Sequence, residues 1–328
     1  MTSIPCINSL CRLFCAFFAV VTALTVNASE KLDNDTLRLL YWNIQNGMWS
    51  DQPNNYDNFV EWVKSYDPDV CVWCEAQTIY KDGTSEACDP ADRYLTDNWG
   101  ELAARYGHKY WTKSGHRDNY PQVITSKYPI EKILDIVGEE PDSVVTHGAC
   151  QAAIEFNGKK INIVTLHTWP QAHAYRAKDI KESRAKHEGD KYRRMEMEYI
   201  CNHTILANPD AKNQYWMMMG DFNSLSPIDK EVYNITDDND TRLITQDYIL
   251  RNTPFIDLIG EKYPGEFHPT IDGDRRIDFI YCTWPMYTSV VKAYVVRDSY
   301  TKDPKYDEAT HFHYPSDHRP ILVDFELK

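Results

Sequence analysis

An α/β fold is predicted by three observations. Strand, helix and strand periods follow one another over residues 37–74, and short buried strand runs then recur to the C-terminus. No internal repeat, low-complexity tract or Gly/Ser linker divides the chain, so a single continuous domain from about residue 30 is expected. With 328 residues, 42% of them apolar, the chain can bury a sizeable core, and a folded rather than disordered chain is expected.

Leu37-Arg38-Leu39-Leu40-Tyr41-Trp42-Asn43-Ile44 reads as a buried strand running into a turn at Gln45-Asn46-Gly47. Residues 56–66 then place Phe59, Val60, Trp62, Val63 and Tyr66 at helical spacing, and Asp67-Pro68 stops that helix. Residues 69–74 form a second buried strand that ends on Glu75. Further strands are expected at 122–126, 149–156, 161–166, 215–219, 277–282, 290–296 and 321–325. A helix over about 191–207 would carry Tyr192, Met195, Tyr199, Cys201 and Ile205 on one stripe.

Ahead of this domain, an apolar stretch from Leu13 to Val26 ends in small residues at Val26-Asn27-Ala28, which resembles a secretory signal over residues 1–28, cleaved after Ala28. The stretch is too short to span a bilayer, and no later segment is long and apolar enough to do so. A non-cleaved anchor is the other reading, since Arg12 is the sole early cation. A secreted or periplasmic location follows from the first reading.

Loss of Arg12 would move the formal charge from −14 to −15. An acidic chain is a poor candidate for binding nucleic acid through bulk charge, yet a nuclease stays open because metal ions in a site supply local positive charge. Six cysteines lie beyond residue 28: Cys71, Cys74, Cys88, Cys150, Cys201 and Cys282. Most sit in apolar strand runs, where thiols serve as small core residues; at most one bridge is expected, with Cys88 as a participant. Cys71-x-x-Cys74 lacks a second ligand pair, so core packing is the better reading than zinc.

Polar residues fall where the buried runs end: Asn43, Glu75, His167, Asp221 with Asn223, Asp278, and Asp317 with His318. Rigid strands hold functional groups while loops vary around them. Glu75 closes an apolar run, where a carboxylate is costly unless solvated, paired or bound to metal; as a hard oxygen ligand it suits Mg²⁺ or Mn²⁺. In Gly220-Asp221-Phe222-Asn223 the glycine allows close approach, and alternation across Phe222 turns Asp221 and Asn223 to one side. In Arg276-Ile277-Asp278-Phe279, Asp278 points opposite its neighbours, toward a face that Asp317 and His318 can share. A carboxylate accepting from His318 would fix its tautomer and raise its basicity. Each position has an ordinary reading beside this one: a turn residue for Asn43 and for the Asp-x-Asn loop, a satisfied strand-end histidine for His167.

With these residues assembled, the chain resembles the endonuclease/exonuclease/phosphatase superfamily, whose members include DNase I-like nucleases, neutral sphingomyelinases and inositol-polyphosphate phosphatases. Trp42-Asn43-Ile44, Pro68-Asp69-Val70 with Glu75, Leu166-His167, Gly220-Asp221-Phe222-Asn223, Arg276-Ile277-Asp278-Phe279-Ile280 and Ser316-Asp317-His318-Arg319-Pro320 look like its six motifs, in order over nearly all of residues 29–328. The resemblance implies an α/β (α+β) four-layer sandwich: two mostly antiparallel sheets packed face to face and flanked by helices. It also implies roles. Glu75 would be the principal Mg²⁺ ligand, with Asn43 beside the metal or phosphate and Asp317 holding or balancing metal. His318, oriented by Asp278, would be the general base; Asp221 and Asn223 would position nucleophile and phosphate; His167 would stabilise phosphate oxygens or help the leaving group depart. Gln45 stands where some family nucleases carry an acidic residue, a departure that bears on a second metal.

Trp49, Trp111, Tyr120 and Trp169 occupy loop-like stretches, where they can stack on a base, a sugar or an inositol ring, lean on lipid, or simply pack. Residues 176–194 hold eight Lys/Arg against four acids, beginning with Arg176. This segment is either a receiver of polyanionic substrate or a solvated face. Trp169 and Arg176 are the substrate-binding candidates. Three readings result: a secreted Mg²⁺-dependent phosphohydrolase cleaving a small or lipid-linked phosphoester or phosphodiester, an extracellular DNase I-like nuclease, and a non-catalytic binding protein that keeps the fold. A monomer without a stable protein partner is expected in each case.

Overall fold

The structure is a computed structural model that describes residues 35–328 apart from 82–85, 90, 92, 96 and 116–118; residues 1–28, read as a signal, lie outside the described residues. Among the described residues there are fourteen strands: β1 Thr36–Asn43, β2 Val70–Cys74, β3 Tyr110–Ser114, β4 Gln122–Ser126, β5 Glu131–Ile136, β6 Ala149–Phe156, β7 Lys159–His167, β8 Tyr215–Asp221, β9 Ile256–Asp257, β10 Asp278–Cys282, β11 Val290–Val295, β12 Lys305–Tyr306, β13 His313–Tyr314 and β14 Ile321–Glu326. Two six-stranded sheets result, ordered β11-β14-β1-β2-β4-β3 and β5-β6-β7-β8-β10-β9, with β12 and β13 as a separate hairpin. Each sheet is antiparallel except for one central parallel pair, β1 with β2 and β7 with β8. A parallel pair needs a crossover, and each has a helix in it: Asp57–Tyr66 between β1 and β2, Glu188–His203 between β7 and β8.

Strand alternation sorts the side chains into layers. From β1, Leu37, Leu39 and Tyr41 meet Met217 and Met219 of β8 and Ile280 of β10 in a cluster between the sheets. Leu40 and Trp42 point the other way and pack with Phe59, Val60 and Val63 of the first crossover helix and with Trp99 and Leu102. On the far side, Trp216, Met218, Phe279 and Tyr281 pack against Met197, Ile200 and Cys201 of the second crossover helix. Helix, sheet, sheet and helix are the four layers expected. Because both faces of the central strands are buried, they read as unbroken apolar runs, which is why the sequence reveals them.

The strands missed by sequence reasoning are the edges β3, β5 and β9 and the hairpin of β12 and β13, whereas the edge β11 was expected. In β3 and β5 the side chains are largely exposed, so no apolar pattern marks them. The second crossover helix also differs from expectation. It starts at Glu188, and Met195 is exposed while Asp190, Arg193 and Glu196 lie on the buried face, so the expected apolar stripe is displaced by polar groups. All six described cysteines are buried thiols, Cys88 among them, so the one allowed disulfide does not form.

Buried polar pairs anchor the edges of this core. Arg38 is 2% exposed and grips Asp324 with two hydrogen bonds of 2.7 and 2.8 Å, joining β1 to β14. Removing one partner strands the other charge, so Asp324→Ala should lose about 3–5 kcal/mol in urea unfolding. His108 lies between Pro68 O and Thr125 Oγ1, each at 2.8 Å, and burial pushes its pKa down to about 4. The unfolded chain takes up that proton near pH 6.5, before the folded chain does, so stability is lost as pH falls from there toward 4. Unfolding free energies from urea titrations over this window should fall further for the wild type than for His108→Gln, by up to about 3 kcal/mol.

Candidate active site

At one end of the sandwich the inward positions of four strands become polar. Continuing each inward row places Asn43 after Tyr41, His167 after Thr165, Asp221 after Met219, and Asp278 before Ile280. Asp278 and Asp221 are register partners across β10 and β8, and His167 and Asp221 across β7 and β8. Gly220 makes that last pairing possible, since a Cβ there would lie 2.1 Å from Leu166 O.

His318 enters from the segment leading into β14. Its Nδ1 bonds Asp278 Oδ2 at 2.7 Å, while Tyr41 Oη donates to Asp278 Oδ1 at 2.7 Å. Both carboxylate oxygens of Asp278 are thereby committed, and the proton on His318 Nδ1 is fixed. The backbone is held as well: Ser316 Oγ accepts from His318 N at 3.1 Å and donates to Asn43 O at 2.8 Å, and Trp42 Nε1 donates to His318 O at 2.9 Å. The other nitrogen, Nε2, faces the site. It lies 3.4 Å from Asn43 Nδ2, 3.7 Å from Asp221 Oδ2 and 3.9 Å from Asp317 Oδ1.

Asn43 sits at the centre of the acidic groups, its Nδ2 donating to Glu75 Oε1 at 3.3 Å and to Asp221 Oδ2 at 3.2 Å. Glu75 stands just past β2 in a left-handed conformation (φ 53°), and its Oε2 accepts from Asn46 N at 3.0 Å. Such a backbone is disfavoured for a side-chain-bearing residue and marks a position fixed by its surroundings. Asn223 also departs from the strand geometry expected for it. The strand ends at Asp221, and Asn223 (φ 48°) turns back so that its N–H donates to Asp221 Oδ1 at 2.9 Å while its Nδ2 donates to Thr168 O at 3.1 Å. The two residues meet through a turn rather than through alternation.

The electrostatics of the site are those of crowded acids. Burial raises the Glu75 carboxyl, and the charge of Asp317 raises it further. Burial likewise raises Asp221, with Asp278 and Glu75 adding to it. For His318 burial works downward, but Asp278, Asp317 and Asp221 outweigh it and hold the imidazole well above its usual range. Among the described residues no Lys or Arg pairs with Glu75, Asp221, Asp278 or Asp317. A concentration of hard oxygen donors with so little counter-charge fits a divalent cation of the Mg²⁺ kind. Asp221, Asp278 and His318 bring ligand atoms within 4.8 Å of one another, yet Asp278 and His318 Nδ1 are already spent on each other. Each Glu75 oxygen accepts one neutral hydrogen bond and Asn43 Oδ1 accepts one from Gln45 N, while the Asp317 carboxylate is a quarter exposed, so these three can still offer oxygen to a cation.

A model of the endonuclease/exonuclease/phosphatase family matches residues 40–318. The chain belongs to this family. No curated protein matches it in sequence. Among solved structures it is similar to an AP endonuclease from Archaeoglobus fulgidus, with a TM-score of 0.58 and 19% identity over 88% of this chain and 99% of that one. It is also similar to D. rerio TDP2 humanized by 14 mutations (TM-score 0.53, 15% identity, 89% and 99% covered). A third likeness is D. rerio TDP2 complexed with a single-strand DNA product (TM-score 0.52, 14% identity, 88% and 98% covered). As a member of the endonuclease/exonuclease/phosphatase family, the chain is a phosphoester hydrolase.

The remaining candidates of this family member divide. Tyr120 meets His167 edge-on at 6.0 Å and belongs to the site. Trp169 follows His167 by two residues, and its ring lies near-parallel to that of His147 at 6.3 Å. Arg176 is exposed and places its guanidinium 4.9 Å from the Tyr175 ring, which in turn packs on Trp169 at 5.0 Å. Trp49 packs on Phe312 instead, and Trp111 lies against the Gly100 turn of helix Trp99–Arg105. Of the basic run, Arg193 is buried and holds Trp169 O at 2.7 Å, whereas Lys178, Lys181 and Arg184 stay exposed. Sequence reasoning missed Tyr41, hidden in an apolar run, and His147, which carried the same strand-edge signal as the others. Tyr41→Phe should leave Asp278 Oδ1 buried without its donor, costing about 1–3 kcal/mol in urea unfolding and roughly tenfold in turnover.

Proposed function

We propose that the chain is a secreted, Mg²⁺- or Mn²⁺-dependent phosphohydrolase that cleaves a small or lipid-linked phosphoester or phosphodiester by attack of water activated at His318. The observation that carries this reading is the Tyr41–Asp278–His318 relay. One imidazole nitrogen is committed to a carboxylate, and the other faces the cluster of Asn43, Asp221 and Asp317. The export reading is supported by the apolar residues 13–26 with their small-residue end, and the acidic net charge of −14 favours a substrate other than long nucleic acid.

In this mechanism the charge of the acids that hold His318 protonated would be offset by the bound cation, leaving Nε2 free to remove the proton from water, and Asp278 stabilises the imidazolium that forms. Asn43 and Asn223 hold phosphate oxygens and Asp221 orients the water, while His167 serves the leaving oxygen. Glu75, Asn43 and Asp317 would hold the divalent cation, which supplies Lewis-acid polarisation of a nonbridging oxygen. Trp169 and Arg176, linked through Tyr175, would line the approach of the substrate. The chain acts as a monomer. A nuclease is the second reading, favoured by the likeness to a TDP2 complexed with single-strand DNA product and to an AP endonuclease. A non-catalytic binding role is disfavoured because every expected site position keeps a chemically competent residue.

A hydrolysis panel of nucleic acid, sphingomyelin, inositol phosphates and a generic phosphodiester separates the readings. Glu75→Ala and His318→Ala should each lower turnover by about 10²–10⁴-fold, and EDTA should abolish it until Mg²⁺ or Mn²⁺ is restored. Turnover indifferent to EDTA would sink the mechanism.

A further inference from the structure

His167 is a buried imidazole with no hydrogen bond to fix it among the described residues. Its Nδ1 has no partner among the described residues, and its Nε2 lies 3.8 Å from Asp221 Oδ2, beyond hydrogen-bond length. Two rings pack on it: His147 at 4.5 Å and 24°, and Tyr120 edge-on at 6.0 Å. The direction in which His167 points is therefore set by stacking.

His147, by contrast, is held through its Nδ1 and its backbone. Its Nδ1 donates to the side-chain oxygen of Asn119 at 2.9 Å, and Asn119 Nδ2 donates back to Thr146 O at 2.6 Å. Tyr120 packs edge-on against it at 5.4 Å, and Gly115 lies so close that a Cβ there would sit 2.3 Å from His147 O. Glu196, fully buried on the second crossover helix, then ties the two loops together. Its Oε1 accepts from Thr146 N at 2.9 Å and Thr146 Oγ1 at 2.7 Å, and its Oε2 accepts from Trp169 N at 2.8 Å. A buried carboxylate is costly unless satisfied, and here all its donors come from the residue before His147 and the residue two after His167.

We propose that His147 is a positioning residue: stacked on His167 and clamped by Asn119 and Glu196, it fixes the direction in which His167 presents Nε2 to the leaving oxygen. This rests on the hydrolase reading of the same site. His147 touches no reacting atom itself, and its Nε2 is buried.

A group serving the leaving oxygen matters most when that oxygen leaves poorly. With the full chain and Mg²⁺, His147→Ala should therefore lower kcat roughly 10–100-fold on an alkyl phosphodiester, with KM within about twofold, and less than about threefold on bis(4-nitrophenyl) phosphate. His147→Phe keeps a stacking ring and should recover most of the loss. If Ala unfolds the chain, His147→Gln keeps a partner for Asn119 and removes the ring, giving the same comparison. Equal losses on both esters, or a Phe variant no better than Ala, would overturn the proposal. Crystal structures of the wild type and the ring-deleted variant supply a readout free of activity: the His167 ring should turn, and an unmoved ring overturns the idea. If the wild type hydrolyses neither ester, the hydrolase reading fails on its own, and the ring orientation still decides the positioning claim.

Discussion

The hydrogen bond between His318 Nδ1 and Asp278 Oδ2 is the seam on which the site depends. Asp278 begins β10 in one sheet, and His318 leads into β14 in the other, so this 2.7 Å contact joins the two sheets at their polar end. Thr270 reinforces it from outside: its Oγ1 accepts from Ile277 N and Asp278 N at 3.1 and 3.0 Å, and its carbonyl accepts from Arg319 N at 2.6 Å. Arg276, held between Asp229 and Asp257, pins the approach to β10. The pair is therefore positioned before any ligand arrives, which is the condition under which a charge-assisted bond serves chemistry rather than merely stability.

That preorganisation has a cost the rest of the molecule absorbs. Glu75, Asp221, Asp278 and Asp317 crowd around one imidazole, and burial makes the ionised form of Glu75 and Asp221 unfavourable. Glu75, Asn46 and Asn223 each adopt left-handed backbone conformations beside the site. Such features persist only where surrounding structure over-determines them, and here the three apolar clusters on either side of the sheets do so. A site that is electrostatically unsatisfied alone is one that gains when a cation and a phosphate enter it.

How much of this was legible follows from burial. Strands covered on both faces announce themselves as apolar runs, and a polar residue ending such a run, as Asn43, Glu75, His167 and Asp221 do, stands out against it. Edge strands β3 and β5 carry no such contrast and passed unseen. Tyr41 is invisible for a different reason: tyrosine is at home in a core, and only the structure shows its hydroxyl reaching Asp278. The pairing of Asp221 with Asn223 was legible, but its geometry was not, because a left-handed residue at the strand end replaces alternation. The displaced stripe on helix Glu188–His203 is the most instructive error. Hydrophobic periodicity assumes that a buried face is apolar, and Arg193 and Glu196 break that assumption.

Their presence separates two halves that share a topology. Each half runs strand, helix, parallel strand, but helix Asp57–Tyr66 buries only apolar side chains, while helix Glu188–His203 also buries Asp190, Arg193 and Glu196. The first half thus forms a rigid base, and the strand ends it fixes are those of Asn43 and Glu75. In the second half the helix reaches through its own packing face to hold backbone groups of the 169–171 loop and of Thr146. Apolar packing can fix a strand, but fixing a loop requires that its exposed N–H and C=O groups be met one by one. The half whose loops must be fixed group by group is therefore the one whose helix gave up apolar surface for polar partners.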